Sequence, residues 1–167
     1  MKITPRIEPC RADDLALLDR QLPSNSADSH HAARCARQEK GLSTYLIAWH
    51  EGLPAGHAEV RWQGCAAPEV RAVHGDCPET NGLGVAAELR SRGIGSALIR
   101  AAEELARERG LPAIGLGVDT ANPRAAALYE RLGYRPSVLY TDRWAYVDMA
   151  GRRVECADQC TFLVKEL

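Results

Sequence analysis

The stretch RSRGIGSALIRAAEE, Arg90 to Glu104, sets two arginines and two closely spaced glycines directly before a run with helical spacing. The start of a helix leaves backbone N–H groups without partners and carries the positive end of the macrodipole, so cations are unfavourable there unless an anion lies between them. Gly93 and Gly95 have no Cβ to keep a ligand from the backbone, and such a turn can form a nest of N–H donors suited to phosphate oxygens. The segment Arg90, Ser91, Arg92, Gly93, Ile94, Gly95 and Ser96 therefore reads as a diphosphate site, with Arg90 and Arg92 neutralising its charge. Two other phosphate-binding patterns do not fit. The dinucleotide fingerprint needs a third glycine where Leu98 stands, and the P-loop pattern G-x-x-x-x-G-K-[ST] occurs nowhere in the chain.

A strand–turn–helix unit must hold that turn. Thr80 to Ala87 (TNGLGVAA) reads as the strand, and its Gly82 and Gly84 call for close approach of another backbone or a ligand. The helix follows with an apolar stripe of Ile94, Ala97, Leu98, Ala101, Ala102 and Leu105, opposite Arg100, Glu103, Glu104, Arg107 and Glu108 on the water side, and Gly110 ends it. Upstream, Lys2 to Pro9 predicts a strand, ADDLALLDRQL a helix, and Asp28 to Lys40 a second helix capped near Ser26 or Asp28. STYLIAWH and AGHAEVRWQ predict a hairpin across EGLP, and Gly64 to Cys77 a loop. Downstream come the strand LPAIGLGVDT, a helix opened by Asn122 and Pro123 and closed by Gly133, and strands near Trp144 to Val147 and Thr161 to Val164. The order β-α-α-β-β-β-α-β-α-β-β is that of a mixed α/β layer architecture.

Three blocks in this order and spacing resemble the GCN5-related N-acetyltransferases. RSRGIGSAL (Arg90 to Leu98) looks like the family's R/Q-x-x-G-x-G/A pyrophosphate loop, LGVAAEL (Leu83 to Leu89) like its fourth strand, and ANPRAAALYERLGY (Ala121 to Tyr134) like its second conserved block. The resemblance implies a mixed, mostly antiparallel central sheet with helices on both faces. It also implies acetyl-CoA as acetyl donor, with the pantetheine arm along Leu83, Gly84 and Val85, the pyrophosphate on Arg90 to Ser96, and Asn122 in contact with the cofactor. Tyr129 matches the family's usual general acid. A phenol with a reference pKa near 10 stays protonated at neutral pH and can protonate the departing thiolate. An amine must lose its proton before attack, and Glu79, at the start of the fourth strand, is the first candidate base; Glu59, His57 and His74 are weaker ones and water is another. A backbone N–H near Val85 would stabilise the oxyanion. The expected reaction is direct acetyl transfer to a primary amine, small-molecule or peptide. A different acyl donor and a non-catalytic acyl-CoA-binding module are the competing readings.

At 167 residues the chain is read as one domain over residues 1–167, acting as a monomer or homodimer. With a formal charge of -1 and no basic stripe, neither nucleic acid nor an anionic membrane is an expected partner. The first residues lack a signal-peptide core, so a cytoplasmic location is expected. The six cysteines form no C-x-x-C pair and read as reduced thiols. His30 and His31, pointing about 100° apart on a helix, read as solvated, and no metal is expected. Of the acids before the fourth strand, Glu69, Asp76 and Glu79 could attract a cationic amine.

Overall fold

The computed structural model describes residues 1–167. The strands are β1 (Arg6–Pro9), β2 (Ser43–His50), β3 (Leu53–Arg61), β4 (Glu79–Val85), β5 (Ala113–Asp119), β6 (Arg135–Val147) and β7 (Arg153–Glu166). They form a 7-stranded sheet in the order β1-β2-β3-β4-β5-β7-β6, antiparallel at every junction but one. The exception is the parallel pair β4/β5. The helices are α1 (Leu15–Gln21), α2 (His30–Glu39), α3 (Pro68–His74), α4 (Ile94–Glu108) and α5 (Pro123–Arg131).

Strand alternation sorts the side chains between two faces. On one, Leu46, Ala48, Ala58, Val60, Ile114, Leu116 and Leu163 pack beneath the Ile94, Leu98, Ile99, Ala102 and Ala106 stripe of α4, with α5 alongside. On the other, Tyr45 and Ile47 meet Leu18 of α1 and Cys35 of α2, while Tyr140, Cys160 and Phe162 meet Val70 of α3. Helices thus cover both faces of a mostly antiparallel sheet, as expected. No helix is long and apolar enough to cross a membrane. All six cysteines are free thiols.

The structure corrects five local expectations. Within the expected loop, Pro68 opens α3; a proline at the first helical position forfeits no hydrogen bond, and Val70 buries against β6 and β7. The last two strands run 13 and 14 residues as one long hairpin, far beyond the segments predicted. Ser29, rather than Ser26 or Asp28, caps α2, accepting from the Ala32 N–H at 3.0 Å. His31 is buried, not solvated: its Nε2–H donates to Leu22 O at 2.8 Å and its Nδ1 accepts from the Tyr45 hydroxyl. Glu103 likewise leaves the water face of α4. It stands one turn beyond Ile99, and its carboxylate, 2% exposed, accepts from Tyr134 Oη and Lys165 Nζ, each at 2.9 Å.

Candidate active site

The site begins at a defect in the ladder. Glu59 faces Asn81 but His57 faces Gly84, so β4 carries one extra residue opposite β3, a bulge at Gly82 (φ +62°). Beyond it the Ala86 N–H turns toward Ala55 O on β3, at 2.8 Å, so the alternate residues Leu83 and Val85 turn their backbone groups the other way. No strand meets them there, because β4 and β5 pair only at Glu79↔Gly115 and Thr80↔Leu116 and then diverge. The free edge of β4 lies in this V-shaped opening.

At its end the chain turns into α4 with Ser91 at φ +63° and Gly93 at φ +91°. Alternating left-handed residues point successive N–H groups inward, and none of the N–H groups of Gly93, Ile94, Gly95 and Ser96 has an acceptor within the chain. The first turn of α4 carries no acidic residue. Arg90 bends back, its Nε donating to Val85 O at 3.2 Å, and the Arg92 carbonyl is anchored by the Ile3 N–H at 2.8 Å. The free donors expected at this turn are therefore present on four consecutive residues, while none of Arg90 to Ser96 borders the cleft between β4 and β5. The reasons for the β4 glycines differ from the expectation. A Cβ on Gly84 would meet His57 Nε2 at 2.7 Å, and one on Gly82 the Arg34 guanidinium at 2.7 Å.

A cleft of about 290 Å³ opens between β4 and β5, and Glu79, Thr80, Leu83 and Tyr129 all border it. Glu79 is 4% exposed; its Oε1 accepts from Asn81 Nδ2 at 3.0 Å, and burial lifts its carboxyl above the usual range despite that bond and nearby Arg61. Tyr129 projects from α5, edge-on to Tyr134 at 6.5 Å, with its hydroxyl free of any partner in the chain; burial raises its phenol as well. Thr80 Oγ1 is buried and unpartnered. Asn122 stands apart, exposed, with Oδ1 capping α5 through the Ala125 N–H at 3.1 Å.

The weaker base candidates are engaged elsewhere. Glu59 is fully buried; burial would raise its carboxyl, but the bidentate Arg37 bonds at 2.8 and 2.9 Å and Arg61 hold it below the usual range. His57 Nδ1–H donates to Gly82 O at 2.8 Å, and burial, then the charge of Arg34, push its imidazole down to about 3, so it stays neutral. His74 bonds Ser137 Oγ at 2.7 Å outside the cleft. Asp76 pairs with Arg71 at 2.7 Å, and of Glu69, Asp76 and Glu79 only Glu79, the first residue of β4, borders the cleft.

The Acetyltransferase (GNAT) family model matches residues 13–134. The chain belongs to this family. No curated sequence relative matches it. Among solved structures, the IAA acetyltransferase from Bacillus cereus superposes with a TM-score of 0.66 at 22% identity, covering 98% of this chain and 100% of that one. The PaiA N-acetyltransferase from Thermoplasma acidophilum, in complex with coenzyme A, gives 0.65 at 15%, covering 99% and 100%. YncA from Salmonella typhimurium, with its cofactor acetyl-CoA, gives 0.65 at 18%, covering 99% and 95%. This GNAT protein thus has the fold of those enzymes.

Sequence reasoning missed the far wall of the cleft. Asp119, Tyr140, Asp142, Asp158 and Cys160 border it from β5, β6 and β7. Asp142 and Asp158 are register partners on adjacent strands, and burial, then Asp158, raise the Asp142 carboxyl against the pull of Arg61. The two-residue spacing of Tyr140 and Asp142, and of Asp158 and Cys160, was the available signal. It is readable only once both strands are known to extend that far.

Proposed function

We propose that this GNAT protein is an N-acetyltransferase that moves an acetyl group from acetyl-CoA directly to a primary amine, with residues 1–167 acting as one catalytic domain. The observation that carries the reading is the convergence of Glu79 and Tyr129 on one cleft beside the unpaired edge of β4 and the unpaired N–H turn of α4. Donor and residues fit: the turn suits a diphosphate, the edge that leads away from it suits an extended amide-bearing arm, and the cleft at the far end of that edge suits the acyl end.

Glu79 takes a proton from the acceptor ammonium, whose ordinary pKa near 10.4 keeps it charged in water. The amine nitrogen bonds to the acetyl carbon, and charge developing on the carbonyl oxygen falls to the N–H groups of the β4 edge near Val85. The carbon–sulfur bond breaks, Tyr129 gives its hydroxyl proton to the thiolate, and the second proton of the former amine, shed as the neutral amide forms, leaves through water and restores the phenol. The four acids Glu79, Asp119, Asp142 and Asp158 around the cleft favour a cationic acceptor.

Thermal unfolding in parallel with acetyl-CoA, coenzyme A, NAD and ATP tests the donor. Either coenzyme at about 100 times its Kd is expected to add about 2.7 kcal/mol of stability, with no shift from NAD or ATP. No shift with either coenzyme removes the reading.

Glu79→Gln tests the base by two measurements of opposite sign. A buried carboxyl whose folded pKa exceeds its unfolded value loses stability as pH rises from the unfolded pKa through the folded one. The variant should therefore unfold at a higher temperature than wild type at neutral pH. Its kcat/KM should fall and lose the acid limb, which in wild type lies above the ordinary carboxylate range. A variant that keeps that limb shows that another group accepts the proton.

A further inference from the structure

We infer that Arg34 is the anion-holding residue of the acceptor site, so that the amine acetylated here also carries a carboxylate. The inference rests on the proposed transfer reaction and names its substrate class.

Arg34 lies mid-helix in α2, half-buried, and no carboxylate approaches within salt-bridge distance. Buried charges are ordinarily paired. Its neighbours in α2 and on β3 do not supply an anion, since Glu59 is already spanned by Arg37 at 2.8 Å and Arg61 at 3.3 Å. What surrounds Arg34 is uncharged: the Tyr45 ring, 5.6 Å from the guanidinium carbon, and the His57 imidazole. Arg34 Nη1 stands 3.4 Å from His57 Nδ1, but that nitrogen already donates its hydrogen to Gly82 O at 2.8 Å, so two donors face each other and no bond forms. The fork therefore retains donors for a ligand.

The guanidinium rests on the Cα of Gly82, a residue bordering the cleft, in space that any Cβ there would invade. In the order β3-β4-β5-β7-β6, Arg34 stands on the β4 side of the opening. Asp119, Asp158 and Asp142 stand on the β5, β7 and β6 side, with Glu79 at the vertex. A cation set behind the Gly82 rim on one side and carboxylates on the other complement a zwitterion, its ammonium toward the acids and its carboxylate toward the planar fork, which matches carboxylate geometry. A cleft of about 290 Å³ suits an acceptor of amino-acid size.

The experiment follows thiol release from acetyl-CoA with a panel of L-amino acids, each against its own α-amide, on wild type, Arg34→Gln and Arg34→Lys. The amide keeps the α-amine and removes only the negative charge. Wild type should favour at least one acid over its amide by about 10- to 100-fold in kcat/KM, the range of one charged hydrogen-bonded contact. Arg34→Gln should abolish that ratio through KM for the acid, and Arg34→Lys should keep part of it. Equal kcat/KM for every acid and amide in wild type, or a preference that survives in Arg34→Gln, overturns the inference. If no amine releases thiol, the transfer reading itself has failed, and calorimetric titration with N-acetyl-L-amino acids in the presence of coenzyme A still decides the role of Arg34. Binding to wild type that is lost in Arg34→Gln upholds it; no binding to wild type, or equal binding to both, overturns it.

Discussion

Replacing Tyr129 by Phe should lower kcat by about 10²-fold, the lower end of what a positioned general acid contributes, while acetyl-CoA raises the unfolding temperature of the variant as much as that of wild type. The separation follows from the surroundings of the phenol. Its ring packs edge-on against Tyr134 and is retained in Phe, so the fold and the donor site lose nothing. Its hydroxyl has no partner in the chain, so removing it orphans no buried donor or acceptor. With the hydroxyl gone the departing thiolate has no acid at hand, and the loss should be largest for the step that breaks the carbon–sulfur bond. Single-turnover and steady-state measurements of thiol release check this. A variant that turns over like wild type would reduce Tyr129 to a packing residue.

The largest loss of stability is expected far from the cleft, in Lys165→Met. Glu103 is 2% exposed in the core beneath α4, and its carboxylate is held by only two groups, Tyr134 Oη and Lys165 Nζ. Removing one partner of a buried ion pair leaves a charge that neither water nor the protein compensates, a loss of about 3 kcal/mol at the lower end for such pairs. The unfolding temperature should fall by about 6–12 °C for a chain of this size. The double variant Lys165→Met with Glu103→Leu should recover much of this, because the buried charge is then absent. A double variant no more stable than the single one would assign the loss to packing of the lysine stem.

What the sequence made legible and what it concealed separate along physical lines. The glycine turn and α4 could be read because their signals are local: Gly93 must take a left-handed conformation, the apolar stripe repeats at the helical period, and the capping residues are of the right types. Tyr129 and Leu83 were placed through the family blocks and Glu79 by its position at the entry of the fourth strand, and the fold brings all three to one cleft. Features decided by distant partners were hidden. Glu103 has the composition of a solvated position and is buried only because Lys165 and Tyr134 reach it; His31 is buried because Tyr45 and Leu22 O complete its two hydrogen bonds. Gly82 and Gly84 announced crowding, but the crowding groups, Arg34 and His57, come from elements 48 and 27 positions earlier in the numbering of each pair. The acids of β6 and β7 were invisible for a related reason: strands of 13 and 14 residues with many exposed positions lack the apolar alternation that marks a half-buried strand.

The parallel junction of β4 and β5 consists of two register pairs, whereas the junctions on either side, β3/β4 and β5/β7, have five and seven. Mechanically, the sheet is two stiff antiparallel panels joined at a short hinge, with α4 lying across it as a splint. A small rotation about that hinge changes the width of the opening without breaking a ladder or repacking either panel. The acceptor's girth can therefore change over evolution through substitutions at the joint and the rim, with the rest of the fold held constant.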